Sequence, residues 1–168
     1  MQIKVKKLVP EAIIPQYASV GAACFDLHAC MVPEDTSYHM ANPGTPAVIR
    51  TGLAFEIPEG HVMLIYSRSG HGFKNDIRLA NCVGVIDSDY RGEVQVKLTN
   101  DNTDGQSVTF RHGDRIAQAM VVPVQQVAFW EVQELSSTDR GEGGFGSTGG
   151  TGCAVQGDLF DSEGGHND

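Results

Sequence analysis

Apolar and polar residues alternate with a period of two in several short windows: Ile3 and Val5; Leu53, Phe55 and Ile57; Val94, Val96 and Leu98; and Phe129 with its neighbours. Alternation sends successive side chains to opposite faces of a strand, so each window predicts a half-buried β-strand. Pro, Gly, Asn or Asp bounds each window, and the windows recur at a spacing of roughly ten residues, which argues for an all-β sandwich, jelly roll or barrel. Pro10, Pro15, Pro33, Pro43, Pro46, Pro58 and Pro123 argue against helix where they fall. A turn or two of helix is expected only over residues 69–73.

The length of 168 residues suits one domain, or one domain with a tail. Ten of the 20 glycines fall in residues 141–168, a stretch with no Lys or Arg and five acids (Glu142, Asp158, Asp161, Glu163 and Asp168). So little apolar surface cannot offset the entropy of ordering a chain. The expected organisation is therefore a β body over 1–135, a glycine-rich arm over 136–149 and an acidic flexible tail over 150–168. The net charge of −9, from 12 basic and 21 acidic residues, lacks the basic footprint of a nucleic-acid binder, so an anionic ligand must be held locally. The apolar run 62–66 is far short of the ~20 residues of a spanning helix, and no apolar run follows the N-terminal lysines, so a soluble cytoplasmic protein without a membrane partner is expected. Cys24, Cys30, Cys82 and Cys153 form no C-x-x-C pair and are expected as reduced thiols. Cys24, Asp26, His28 and Cys30 share one parity, but Cys24 and His28 would stand about 13 Å apart on a strand, too far for a shared zinc.

Four segments carry candidate chemistry. Residues 81–93 read as a hairpin, with β-type arms over 83–86 and 93–98 joined by a polar turn. Its tip sets a carboxylate, Asp87, and a ring, Tyr90, near Gly84, where a ligand can approach the backbone closely; a merely solvated acidic tip is the plainer reading. Arg140-Gly-Glu-Gly-Gly-Phe145-Gly146-Ser147-Thr148 offers backbone N–H groups and hydroxyls to phosphate oxygens, and a lone Phe145 among glycines suits a ring folding over a flat ligand. A flexible linker would explain the glycines alone. Tyr66-Ser67-Arg68-Ser69-Gly70 brings two hydroxyls and a guanidinium to a strand end, although a helix cap alone would account for Ser69. Gly113-Asp114-Arg115-Ile116-Ala117-Gln118 turns into a strand on which Arg115 and Gln118 are candidate donors.

Together with Ala22-Ala23-Cys24-Phe25-Asp26-Leu27, these segments in this order resemble the five motifs of the trimeric dUTPases, with Cys24 standing where the family often has glycine. The resemblance spans residues 1 to about 149. It implies a β jelly roll assembled as a homotrimer, each site shared among subunits, that hydrolyses dUTP to dUMP and pyrophosphate by water attack on the α-phosphate, limiting uracil in DNA and supplying dUMP for dTTP synthesis. Asp87 would be the general base. Arg68, Ser69, Gly70 and Gln118, with Arg140, Gly146, Ser147 and Thr148 from the arm, would bind the triphosphate and its Mg²⁺. Asn81 and Gly84 would lie beside uracil, Phe145 over it and Tyr90 under the sugar. Asp26 would steady the metal through water, or form an ion pair with Arg115. A dCTP deaminase of the same fold and a dUTPase-fold regulatory binding protein are the competing readings. In the tail, Gln156-Gly-Asp-Leu159-Phe160 resembles peptides that dock on the bacterial sliding clamp.

Overall fold

The computed structural model describes residues 1–32 and 38–144. Among these, eleven strands and one helix occur: β1 (Lys4–Lys7), β2 (Phe25–His28), β3 (Tyr38–Ala41), β4 (Ala47–Arg50), β5 (Leu53–Glu56), β6 (His61–Tyr66), α1 (Ser69–Asn75), β7 (Ile77–Leu79), β8 (Val83–Ile86), β9 (Gln95–Asn100), β10 (Val108–Arg111) and β11 (Arg115–Pro123). The expected all-β class and the expected short helix are both present. No helix among the described residues is long and apolar enough to cross a membrane.

The strands pair antiparallel in four sheets, ordered β2-β11-β6-β8, β4-β9-β7, β1-β5 and β10-β3. The alternation read in the sequence over 94–98 is the burial pattern seen there. Val96 and Leu98 on β9 are buried while Gln95 and Lys97 are exposed. Leu27, Ile49, Met63, Leu98, Phe110 and Ile116, from six strands, meet in one fully buried core. Two buried polar side chains are satisfied inside it, as burial requires: Thr51 Oγ1 donates to Val94 O at 2.6 Å, and Asn100 Nδ2 donates to Ala41 O and Gln106 O at 2.9 and 2.8 Å.

Two expectations are corrected. Residues 83–86 and 95–100 are strands, but they do not form a hairpin: β8 pairs with β6, whereas β9 pairs with β4 and β7 in another sheet. Residues 87–94 are a crossover between sheets, ending where Val94 N–H donates to Leu53 O at 2.9 Å. Phe129 and its neighbours are not a strand. No strand occurs over 128–144, and Phe129 is 96% exposed. Alternation without an adjacent strand leaves backbone N–H and C=O groups with no ladder to join. Contacts divide the chain into a unit of Met1–Val127 and a unit of Ala128–Asp168.

Candidate active site

Sheet register brings three of the motif segments together. On β11, Gln118 stands opposite Asp26 of β2 on one side and Tyr66 of β6 on the other. Asp26, 13% exposed at its side chain, accepts from Arg68 Nε at 2.8 Å through one oxygen and from Arg115 Nη1 at 3.4 Å through the other. Gln118 Nε2 donates to Ser67 O at 2.9 Å, and Ser67 Oγ accepts the Leu79 N–H at 2.9 Å. Arg68, Ser69 and Gln118 thereby line one cavity of about 360 Å³. The N-cap of α1 is Arg68, in an extended conformation and without a side-chain cap, so Ser69 does not cap the helix. Ser69 and Gly70 are both exposed there.

The third motif occupies β8 and the crossover. Asn81 O accepts the Val83 N–H at 2.6 Å across Cys82, whose φ of +61° is left-handed. Gly84 lies opposite Ile65 of β6, and a Cβ there would stand 3.1 Å from Ile65 Cβ, so the glycine serves strand packing. In the crossover Tyr90 N–H donates to Asp87 O at 3.2 Å and Tyr90 Oη to Glu93 O at 3.0 Å. The ring lies against Gly92, where a Cβ would fall 2.6 Å from Tyr90 Cζ. Glu93 itself is anchored, its carboxylate accepting from Arg50 Nε at 3.0 and 3.1 Å and from Gly52 N at 2.8 Å. Asp87 and Tyr90 line a cleft of about 460 Å³ that shares no lining residue with the Arg68 cavity.

In the second unit Arg140 closes a local turn: its Nε donates to Gly143 O at 2.7 Å, and Gly143 N–H donates to Arg140 O at 3.0 Å. Phe145, Gly146, Ser147 and Thr148 lie outside the described residues, as do Gln156, Leu159 and Phe160. Sequence reasoning singled out neither Glu93 nor His71 for the positions they hold. Glu93 adjoins the third motif, so adjacency was the available signal; for His71 only its place two residues past Ser69 hinted at a role. Among the described residues no three His, Cys, Asp or Glu side chains group to hold a metal ion. With both Asp26 oxygens on guanidinium groups, these residues fit only a metal brought in on phosphate oxygens.

Antiparallel sheets around one core, with motif segments converging through register, define an all-β protein of the jelly-roll class. The dUTPase family model matches residues 10–149, and the chain belongs to the dUTPase family. Among its relatives, the deoxyuridine 5'-triphosphate nucleotidohydrolase of Nautilia profundicola is 48% identical over 149 residues, covering 89% of this chain and 99% of that protein. That of Helicobacter hepaticus is 46% identical over 149 residues, 89% of each. A solved dUTPase of Staphylococcus bacteriophage 80alpha with dUPNHPP superposes with a TM-score of 0.77 at 29% identity, covering 88% of this chain and 98% of that one. A mutant dUTPase from phage phi11 of S. aureus, described with a coordinated structural Mg(II) ion, shares the fold at a TM-score of 0.69 and 24% identity, covering 80% and 98%.

Proposed function

We propose that this chain is a cytoplasmic dUTP diphosphatase that converts dUTP and water to dUMP and pyrophosphate. The observation that carries the reading is the pairing of Asp87 with Tyr90 in one cleft of a dUTPase-family chain. Asp87 is exposed and free to hold a water. As general base it takes the proton while the water oxygen bonds to the α-phosphorus; the bond from that phosphorus to the α,β-bridging oxygen breaks, and pyrophosphate leaves. Tyr90, fixed by its bond to Glu93 O and by its seat on Gly92, packs under the deoxyribose and leaves no partner for a 2′-hydroxyl. Asn81 and the β8 backbone at Gly84 border the base. Arg68, Ser69, Gly70 and Gln118 hold phosphate oxygens, joined by Arg140, Gly146, Ser147 and Thr148 of the arm, with Phe145 covering the ring. Mg²⁺ carried on the phosphates would offset their charge.

The separateness of the Asp87 cleft and the Arg68 cavity supports a homotrimer whose sites are shared, one subunit's cleft completing another's phosphate cavity. The acidic tail has a separate role in this reading: Gln156, Leu159 and Phe160 dock on a bacterial sliding clamp. A peptide spanning residues 151–168 should bind such a clamp at ~100 μM, and absence of binding removes that role.

Pyrophosphate release from dUTP, dCTP and UTP, with and without Mg²⁺, tests the activity. Release from dUTP alone, raised by Mg²⁺, is expected. Ammonia from dCTP would identify a deaminase, and no turnover at all would leave a regulatory binding protein.

A further inference from the structure

The helix that presents Ser69 and Gly70 has little to hold it. It is seven residues long, contributes no buried residue, has no acid in its first turn and no side-chain cap at Arg68. Its phenylalanine, Phe73, is 92% exposed. A helix of this length is not stable on its own. Its C-terminal end is tied down by backbone: Asp76, in the left-handed region, donates to His71 O, and Asp101 N–H donates to Asp76 O at 2.9 Å. The N-terminal turn is tied by side chains. Arg68 reaches Asp26, and His71 Nε2 donates to Arg115 O at 2.6 Å, its ring meeting Phe110 edge-on with centroids 5.6 Å apart. A carbonyl only accepts, so Nε2 carries a proton.

These contacts close a circuit. Arg68 binds Asp26; Asp26 binds the Arg115 guanidinium; the Arg115 carbonyl binds His71; and His71 lies three residues along the helix from Arg68. Ser69 and Gly70 are the residues between the two tethers. One tether alone would let the turn rotate about Arg68. We infer that His71 is a positioning residue for substrate binding: by bonding Arg115 O it holds the Arg68-Ser69-Gly70 turn in register with the β11 strand, so that the guanidinium, hydroxyl and N–H groups meet the phosphate chain together. This inference rests on the reading of that turn as the phosphate-binding element.

The test uses the full chain with dUTP and reads KM and kcat separately, with the melting temperature as a control. His71→Leu keeps apolar volume against Phe110 and removes the donor; His71→Gln retains a donor of comparable reach; His71→Asn has a donor too short to reach the carbonyl. Loss of one short hydrogen bond to the turn should raise KM by about 3- to 10-fold in the Leu and Asn variants, with kcat little changed and the Gln variant recovering much of the loss. In an Arg68→Ala background, where the main group being positioned is gone, the same substitution should cost less than about half as much on a logarithmic scale. An unchanged KM in the Leu and Asn variants, no recovery by Gln, or an equal cost with and without Arg68 overturns the inference. Should the Leu variant fail to fold, the Gln and Asn pair decides it alone: a KM raised only in Asn supports the positioning role, and equal values refute it. A parent chain that releases no pyrophosphate from dUTP defeats the proposed activity instead, so the two failures are distinct.

Discussion

Replacing Asp26 by Asn asks whether this carboxylate serves the metal or the fold. The substitution keeps the shape and one acceptor oxygen but leaves two guanidinium groups converging on a neutral amide. Asp26 and Arg68 are 13% and 22% exposed at their side chains, whereas Arg115 is 52% exposed. Removing one partner of a fully buried pair costs about 3–5 kcal/mol, and an exposed pair is worth about 0–1 kcal/mol. The Arg68 contact lies nearer the first limit and the Arg115 contact at the second, which places the loss at about 2 kcal/mol. For a chain of this size that corresponds to a fall in melting temperature of about 4–8 °C. Melting should be compared at one protein concentration, because assembly adds to apparent stability. Turnover should then be titrated with Mg²⁺. A lower melting temperature with a raised KM and an unchanged Mg²⁺ midpoint is expected, since both oxygens already face arginines. A chain that melts as the parent does but needs several-fold more Mg²⁺ would refute the ion-pair account and return Asp26 to the metal's water shell.

Asp87→Asn should preserve binding of a non-hydrolysable dUTP analogue while lowering kcat by at least ~10²; near-normal turnover would remove Asp87 from the chemistry. Tyr90→Ala should raise activity on UTP relative to dUTP in competition assays, and an unchanged preference would place sugar selection elsewhere. Cys82→Gly relieves a left-handed φ of +61° and should stabilise by about 0.5–1 kcal/mol in urea melts, with no gain if that backbone is relaxed. Burial pushes the Cys24 and Cys30 thiols up, aided by the nearby carboxylates of Asp26 and Glu11 respectively, so their thiolate fractions near pH 8 are reduced. Exposed Cys82 should therefore be alkylated ahead of both, as read by mass spectrometry, and equal rates would contradict the burial.

Much of the fold was legible because alternation reports directly on a strand's two faces: Leu53 and Phe55, or Val96 and Leu98, are buried where the pattern places them. The helix at Ser69–Asn75 was legible by elimination, as one of the few stretches between prolines without strand character. What alternation cannot express is a partner. Val83 and Val85 carry the same signal whether β8 pairs with β9 or with β6, so the hairpin reading rested on proximity in sequence, and the structure places the two strands in different sheets. Parity also fails where a strand stops. Cys30 shares the parity of Asp26, but β2 ends at His28 opposite a register shift between Arg115 and Ala117, and Cys30 turns inward to burial. The motif resemblance grouped Asp26, Arg68 and Gln118, which the register of β2, β11 and β6 sets side by side. It left two roles open for Asp26, because the choice depends on two guanidinium groups, one 42 and one 89 residues away.

The place of β11 in its sheet governs when the site comes into existence. This strand is the last in the body, and it slots between β2, near the start of the chain, and β6, near the middle. During synthesis β2 and β6 emerge first with no ladder between them, since their common neighbour has yet to leave the ribosome. Such distant pairings are closed late and slowly. Arg68 can find Asp26 only when this gap is filled, because both the spacing of β2 from β6 and the Arg115 carbonyl that steadies the helix arrive with β11. A nascent or truncated chain ending before residue 115 would therefore carry Asp26 and Arg68 without the geometry that joins them, and nucleotide affinity should appear in step with insertion of β11.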